Sequence, residues 1–157
     1  MRILVISDSH GDSYAVRQAI AEQPTAKILF FLGDGEYDLS FLDDVPNAGL
    51  FVHKVKGNCD YGSSLPASVI DEVNGVRIYA THGYLEQVKY GSGVLAERAR
   101  DCGASIALYG HTHVPDTTYC DGLWLVNPGS IREGKYAVVD ILGKGQIMPV
   151  LMNLRKY

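Results

Sequence analysis

Two imidazoles one residue apart, His111 and His113, stand at the end of the apolar run Ser105-Ile106-Ala107-Leu108-Tyr109, directly after Gly110. A buried-strand pattern that stops at glycine and turns presents such side chains at its C-terminal end, where α/β sheets carry their chemistry. The arrangement recurs along the chain. Asp8 and His10 follow Ile3-Leu4-Val5-Ile6, and Asp34 follows Ile28 to Gly33. Asn58 comes after Leu50-Phe51-Val52 with Lys56-Gly57 between, and His82 follows Val76 to Thr81. Singly, each has an ordinary explanation: an Asp behind a strand caps a helix or makes a turn, and an Asn after Gly makes a turn. A lone His is usually a hydrogen-bonded structural group, and His53, inside a strand and outside every motif, is read that way. Jointly, four of the five histidines fall at strand ends with two carboxylates and an amide. Such a set exceeds one tetrahedral site and suits two adjacent ions, one carboxylate bridging and water completing the shells. Imidazoles without thiolates favour divalent transition metals over calcium or magnesium. Manganese is the first candidate, with nickel, zinc, iron or cobalt as others.

The elements that must position these side chains read as follows. Met1 to Ser7 is too continuously apolar for a one-sided strand and is expected at the centre of a sheet. Asp12 or Ser13 caps a helix over Ser13 to Gln23, which Pro24 stops. Lys27 to Gly33 is the next buried strand, completing a βαβ unit whose strands are parallel, so that Asp34 emerges at the same end as Asp8. Tyr37 to Asp44 is a short helix or turn, and Pro46-Asn47-Ala48-Gly49 the loop before a strand from Leu50 to Lys56. Three hairpins are expected: Ser68–Val73 with Val76–Thr81 around Asn74-Gly75, Thr117–Cys120 with Leu123–Val126 around Asp121-Gly122, and Tyr136–Leu142 with Gln146–Leu151 around Gly143-Lys144-Gly145. A second helix covers Ser92 to Cys102, closed by Gly103. Half βαβ and half hairpin, the pattern predicts an α/β fold of two mixed β-sheets packed as a sandwich flanked by helices.

Size and composition set bounds. One domain, residues 1–157, is expected, long enough to bury a core unaided. Hydrophobic content of 46% and charged content of 20% exclude disordered and fibrous classes. No apolar run reaches membrane-spanning length, and Asp8 interrupts the apolar start too early for a signal peptide. A cytoplasmic location is expected, with no membrane partner. Cys59, Cys102 and Cys120 form no Cys-x-x-Cys motif and are read mostly as core filler in a reducing compartment. A net charge of −4 without a Lys/Arg cluster argues against nucleic-acid binding. Two divalent ions would bring the formal charge to about zero and concentrate the positive part at one point, where an anion could bind.

Asp8-Ser9-His10, Gly33-Asp34, Gly57-Asn58-Cys59-Asp60, Thr81-His82-Gly83 and Gly110-His111-Thr112-His113, followed by Asn127-Pro128-Gly129-Ser130, resemble in this order the calcineurin-like metallophosphoesterase family. The likeness is best with its small single-domain prokaryotic phosphodiesterase branch and runs from residue 3 to about residue 142. It implies a four-layer αββα fold and a dinuclear centre in which Asp8, His10 and His113 hold one ion and Asn58, His82 and His111 the other. Asp34 would bridge them, and Asp34, Asn58 and His82 would be the catalytic group. The implied reaction is in-line attack of a metal-bridging hydroxide on a small phosphodiester, with ions about 3.5 to 4 Å apart.

One motif departs from the family pattern. Many members have His where this chain has Cys59, and that His is the acid for the leaving alkoxide; a thiol is a poor substitute, so leaving groups of low pKa should be preferred. Asp60 either orients a histidine such as His82 or caps a turn. Asn127-Pro128-Gly129-Ser130 is first a turn and secondarily a support for the His111 loop. Tyr61 and Tyr84 default to aromatic packing, with a weaker reading as pocket lining. Two other functions compete with the enzyme. A non-catalytic protein-interaction scaffold, as in the retromer subunit of similar fold, would show an eroded site, whereas all seven positions are filled here. An amidohydrolase would place His-x-His on the first strand. A homo-oligomer through the apolar hairpin at Ile147-Met148-Pro149-Val150-Leu151 is compatible with the pattern.

Overall fold

Alternation of apolar side chains along a strand lets one sheet feed two cores at once, and this chain uses it throughout. The computed structural model describes residues 1–44 and 49–156; the loop expected at Pro46-Asn47-Ala48 lies outside them. Strand β1 (Arg2–Ile6) sends Ile3 and Val5 into a core between the two sheets and Leu4 and Ile6 into a second core beneath a helix. That helix, α1 (Ser13–Glu22), is capped by Asp12, whose carboxylate accepts the Ala15 N–H at 2.9 Å, and lays Ala15, Val16 and Ala19 on the sheet. Strands β2 (Ile28–Phe31) and β3 (Phe51–Lys54) follow, each parallel to its predecessor. A 3₁₀ segment, Glu36–Leu42, links them.

The second sheet begins with the hairpin β4 (Ser68–Val73) and β5 (Val76–Thr81). Helix α2 (Gly93–Asp101) covers it from outside with Leu95 and Ala99. Strand β6 (Ile106–Leu108) is followed by the hairpin β7 (Asp116–Cys120) and β8 (Leu123–Asn127). The chain then returns to the first sheet as β9 (Lys135–Ile141) and β10 (Ile147–Asn153). The orders are β10-β9-β1-β2-β3 and β4-β5-β6-β8-β7. Both sheets are mixed, and with a helix on each outer face the result is the expected four-layer sandwich.

The second sheet is less antiparallel than its hairpins suggest. Strands β5, β6 and β8 run parallel through its middle, leaving β4 and β7 as antiparallel edges. The hairpin turns fix only nearest-neighbour pairing; α2 and β7 act as crossovers that restore the parallel direction. Each sheet therefore contains three parallel strands, and the loops leaving all six carry the motif residues. No helix among the described residues is long and apolar enough to cross a membrane. Cys59 and Cys120 are exposed and so are not core filler, whereas Cys102 is half-buried and packs against the core beneath α2. Cys59 lies in the loop after β3 and Cys120 at the end of edge strand β7, both at the surface.

Candidate metal centre

Close approach of loops at the sheet ends builds the site. The β1 and β2 exits are zipped together beyond the strands, with the Asp8 N–H donating to the Gly33 carbonyl and the His10 N–H to the Asp34 carbonyl, both at 3.0 Å. Asp60 draws in the β3 exit: its carboxylate accepts the backbone N–H groups of Asp34, Gly35, Glu36 and Gly57 at 2.8 to 3.1 Å. It joins the two loops and does not touch His82, so of its two expected roles the turn-forming one is observed. On the second sheet the Gly110 N–H donates to the His82 carbonyl at 2.9 Å. Asn127 donates to the Gly110 carbonyl and the Thr112 hydroxyl at 3.0 Å while accepting from the Gly129 N–H, so it is both turn and support for the His111 loop. Ser130 ties the sheets by donating to the Asp8 carbonyl at 2.7 Å.

All seven expected side chains converge where the two sheets meet. Asp8, His10 and His113 form one group of ligand atoms within 4.8 Å of one another, and Asp34, His82 and His111 a second. Asn58 joins the second, its Oδ1 lying 2.9 Å from His82 Nε2. Asp34 stands between the groups, with Oδ2 at 3.3 Å from His82 Nε2 and 3.9 Å from His10 Nε2. A third group, His10, Asp34 and Cys59, places the thiol beside the same junction. His53 lies outside, bonded to Asp71 at 2.8 Å and stacked on Phe30, as a structural histidine would be.

The side chains are aimed by partners that sequence alone does not reveal. Asp8 is fully buried; its Oδ2 accepts from the Ser7 hydroxyl at 2.5 Å and the His111 N–H at 3.1 Å. Its Oδ1 has no hydrogen-bond donor among the described residues and faces His113 Nε2 at 3.2 Å and His10 Nε2 at 3.7 Å. His82 donates from Nδ1 to the Leu32 carbonyl at 2.7 Å, which leaves Nε2 pointing at the oxygens of Asn58 and Asp34. A lone pair facing lone pairs is repulsive, so either a proton or a cation must stand among these atoms. Without metal it is the proton. Burial lowers the His82 pKa, but the Asp34 bond and the charges of Asp8 and Asp34 outweigh it and raise the pKa above the ordinary 6.5. Burial likewise works against the Asp34 charge, yet His82 and the Cys59 N–H bring that carboxyl down to about 2.

The sign of the metal linkage follows. A divalent ion must displace the His82 proton, so affinity should fall as pH drops below the raised His82 pKa and level off above it, with protons released on binding. Calorimetric titration of the metal-free protein with manganese near neutral pH, in buffers of different ionisation enthalpy, should show that release. Affinity independent of pH between 6 and 8 would contradict the assignment.

Backbone conformation supplies a further mark. Asp8, His10, Asp34, His111 and His113 all have positive φ, between 43° and 69°. For residues with a Cβ this costs about 1–2 kcal/mol each, so together the five approach the net stability of an ordinary domain. Strain of that size persists only where surrounding structure enforces it, and five of the nine non-glycine residues with positive φ among the described residues are candidate ligands. Sequence reasoning also missed Glu86. It is buried behind the loop after His82, accepting from the hydroxyls of Tyr79 and Thr81 and from Arg98 at 2.9 to 3.2 Å, and it pins that loop to β5 and α2. A lone Glu in a polar loop gives no signal that it will turn inward.

The chain matches the model of the calcineurin-like phosphoesterase superfamily domain over residues 1–144. It is 32% identical over 134 residues to the probable metallophosphoesterase YsnB of Bacillus subtilis, covering 84% of this chain and 76% of that protein. A conserved Streptococcus pneumoniae protein, itself a predicted phosphoesterase, superposes with a TM-score of 0.74 at 29% identity, covering 96% of this chain and 97% of that one. Vps29 from Entamoeba histolytica, solved with zinc, shares the fold with a TM-score of 0.70 at 21% identity over 99% of this chain and 100% of its own.

Proposed function

The chain belongs to the calcineurin-like phosphoesterase superfamily, and from that premise we propose that it is a dinuclear metal-dependent hydrolase of phosphodiesters, working in the reducing cytoplasm. The reading rests above all on one observation: the fully buried Asp8 Oδ1 has no hydrogen-bond partner among the described residues and faces the ring nitrogens of His113 and His10. Divalent cations fit such a set. Asp8, His10 and His113 would hold one ion and Asn58, His82 and His111 the other, with Asp34 shared. Bound there, the ions supply a water of lowered pKa and positive charge opposite the phosphate oxygens.

The protein's own groups do the positioning. The Leu32 carbonyl fixes the tautomer of His82, and Ser7 with the His111 N–H fixes the rotamer of Asp8. Two carboxylates against two divalent ions leave the loaded centre positive by about two charges, which complements a diester monoanion. The Cys59 thiol, although its residue is exposed, is pushed up by partial desolvation and by the Asp34 charge, so it stays protonated at neutral pH and transfers that proton reluctantly. Aryl phosphodiesters, whose leaving groups need no acid, should therefore be hydrolysed at least about 100-fold faster than dialkyl ones. Equal rates on both would refute this assignment of the missing acid.

A protein-interaction scaffold of the same fold is separated by turnover and not by metal binding, since Vps29 was itself solved with zinc. Chelator-stripped protein should hydrolyse a chromogenic aryl phosphodiester only when manganese or another divalent transition ion is restored. Silence with every such ion would move the chain to the scaffold reading.

A further inference from the structure

Two clefts open on either side of Asn58. One, of about 490 Å³, runs past His82 and is bordered by Lys56, Tyr61 and Tyr84. The other, of about 600 Å³, runs past His111 and is bordered by Tyr84, Lys89 and Tyr90. Asn58, Tyr84 and Leu85 line both, so the clefts meet at the second group of candidate ligands. Each is large enough for an aryl or nucleoside group. Tyr61 and Tyr90 are not packing residues, being 88% and 92% exposed and leaving a ring face open to solvent at a cleft, whereas Tyr84 meets the His111 ring edge-on at 5.5 Å.

A phosphorus atom at the junction must direct its two ester substituents away from each other. We propose that the site takes an acyclic phosphodiester with two bulky aromatic arms, of dinucleotide size, one arm lying in the Tyr61 cleft and the other in the Tyr90 cleft. This rests on the phosphodiesterase reading above and names its substrate class. Open aromatic faces stack planar rings without selecting among them, and one lysine per cleft adds attraction for an anion without making a surface for a long strand. The net charge of −4 points the same way, against extended nucleic acid.

The test holds the leaving group constant. Manganese-loaded protein is assayed with bis(p-nitrophenyl) phosphate, with thymidine 5′-(p-nitrophenyl) phosphate and with methyl p-nitrophenyl phosphate, all of which release p-nitrophenolate. KM for the methyl ester should be about tenfold or more above that of the other two, because one stacked arm is lost. Of Tyr61→Ala and Tyr90→Ala, the variant of the cleft that holds the retained arm should erase that advantage, and the variant of the cleft that holds the leaving arm should raise KM for all three esters; both residues are at the surface, so folding is not at stake. Calorimetric Kd values for a non-hydrolysable bis-aryl phosphonate should rise by a similar factor in the same variants. Equal KM values for methyl and aryl retained arms, or no response in either variant, would overturn the two-arm proposal while leaving the phosphodiesterase standing. Absence of turnover on all three would overturn both.

Discussion

Asp34→Asn should lower metal-dependent phosphodiester hydrolysis by on the order of 10³-fold or more while the protein stays folded. The substitution is isosteric, but the fold decides which way the amide points. The Cys59 N–H donates to Asp34 Oδ1 at 2.7 Å and demands an acceptor there, so the amide oxygen must take that place. The NH₂ group then occupies the position of Oδ2, between His82 and His10, and directs its hydrogens at the spot where positive charge is needed. Loss of a negative charge and reversal of a dipole act together. Measured metal content should drop along with kcat, and a variant that kept wild-type metal content and activity within tenfold would remove Asp34 from the bridging position.

The second large effect is expected from a methyl group. A Cβ on Gly57 would run into Asp34 Oδ1 and lie 2.5 Å from the Asp34 backbone nitrogen, neither of which can yield without disturbing the site. Gly57→Ala should therefore push the Asn58-Cys59 turn outward. A displacement of an ångström at a reacting centre costs roughly 100-fold in rate. Overpacking adds about 1–3 kcal/mol of instability, or several degrees in Tm for a chain of this size. Gly93→Ala is the matched control, since nothing lies within 4 Å of its would-be Cβ and it opens helix α2. Thermal melts and kinetics of the two side by side decide the matter; equal behaviour would mean that the Gly57 approach has no functional weight.

Much of this architecture was legible in the residues. Continuous apolar runs at Ile3-Leu4-Val5-Ile6 and Ile28 to Leu32 marked buried parallel strands, and Asn74-Gly75 and Asp121-Gly122 marked hairpins, because turn chemistry and burial are local properties. That Asp34 emerges at the same end as Asp8 followed from the βαβ unit; that the second sheet's ligands join them rests on the parallel run β5-β6-β8, which its hairpins do not announce. What was not legible depends on contacts distant in sequence. Asp60 could not be told from a histidine partner because its four backbone donors come from the β2 exit and its own turn. The inward turn of Glu86, the left-handed backbone at Asp8 or His113 and the parallel setting of β8 beside β6 are likewise settled by tertiary packing. Cys59 and Cys120 were misplaced because composition says how apolar a residue is, not whether anything covers it.

The division of the donor set between the two sheets has a kinetic meaning. Asp8, His10, Asp34 and Asn58 leave the first sheet, and His82, His111 and His113 leave the second, so neither half holds a complete set until the sandwich has closed. The seam joins segments distant in sequence, because β9 and β10 return to the first sheet only after the strands of the second in chain order. An ion bound across the seam would then act on the native state and not on the route to it, slowing the parting of the sheets while leaving the rate of their first meeting untouched. The centre would work as a latch on a finished fold, holding together two halves whose strands alternate along the chain.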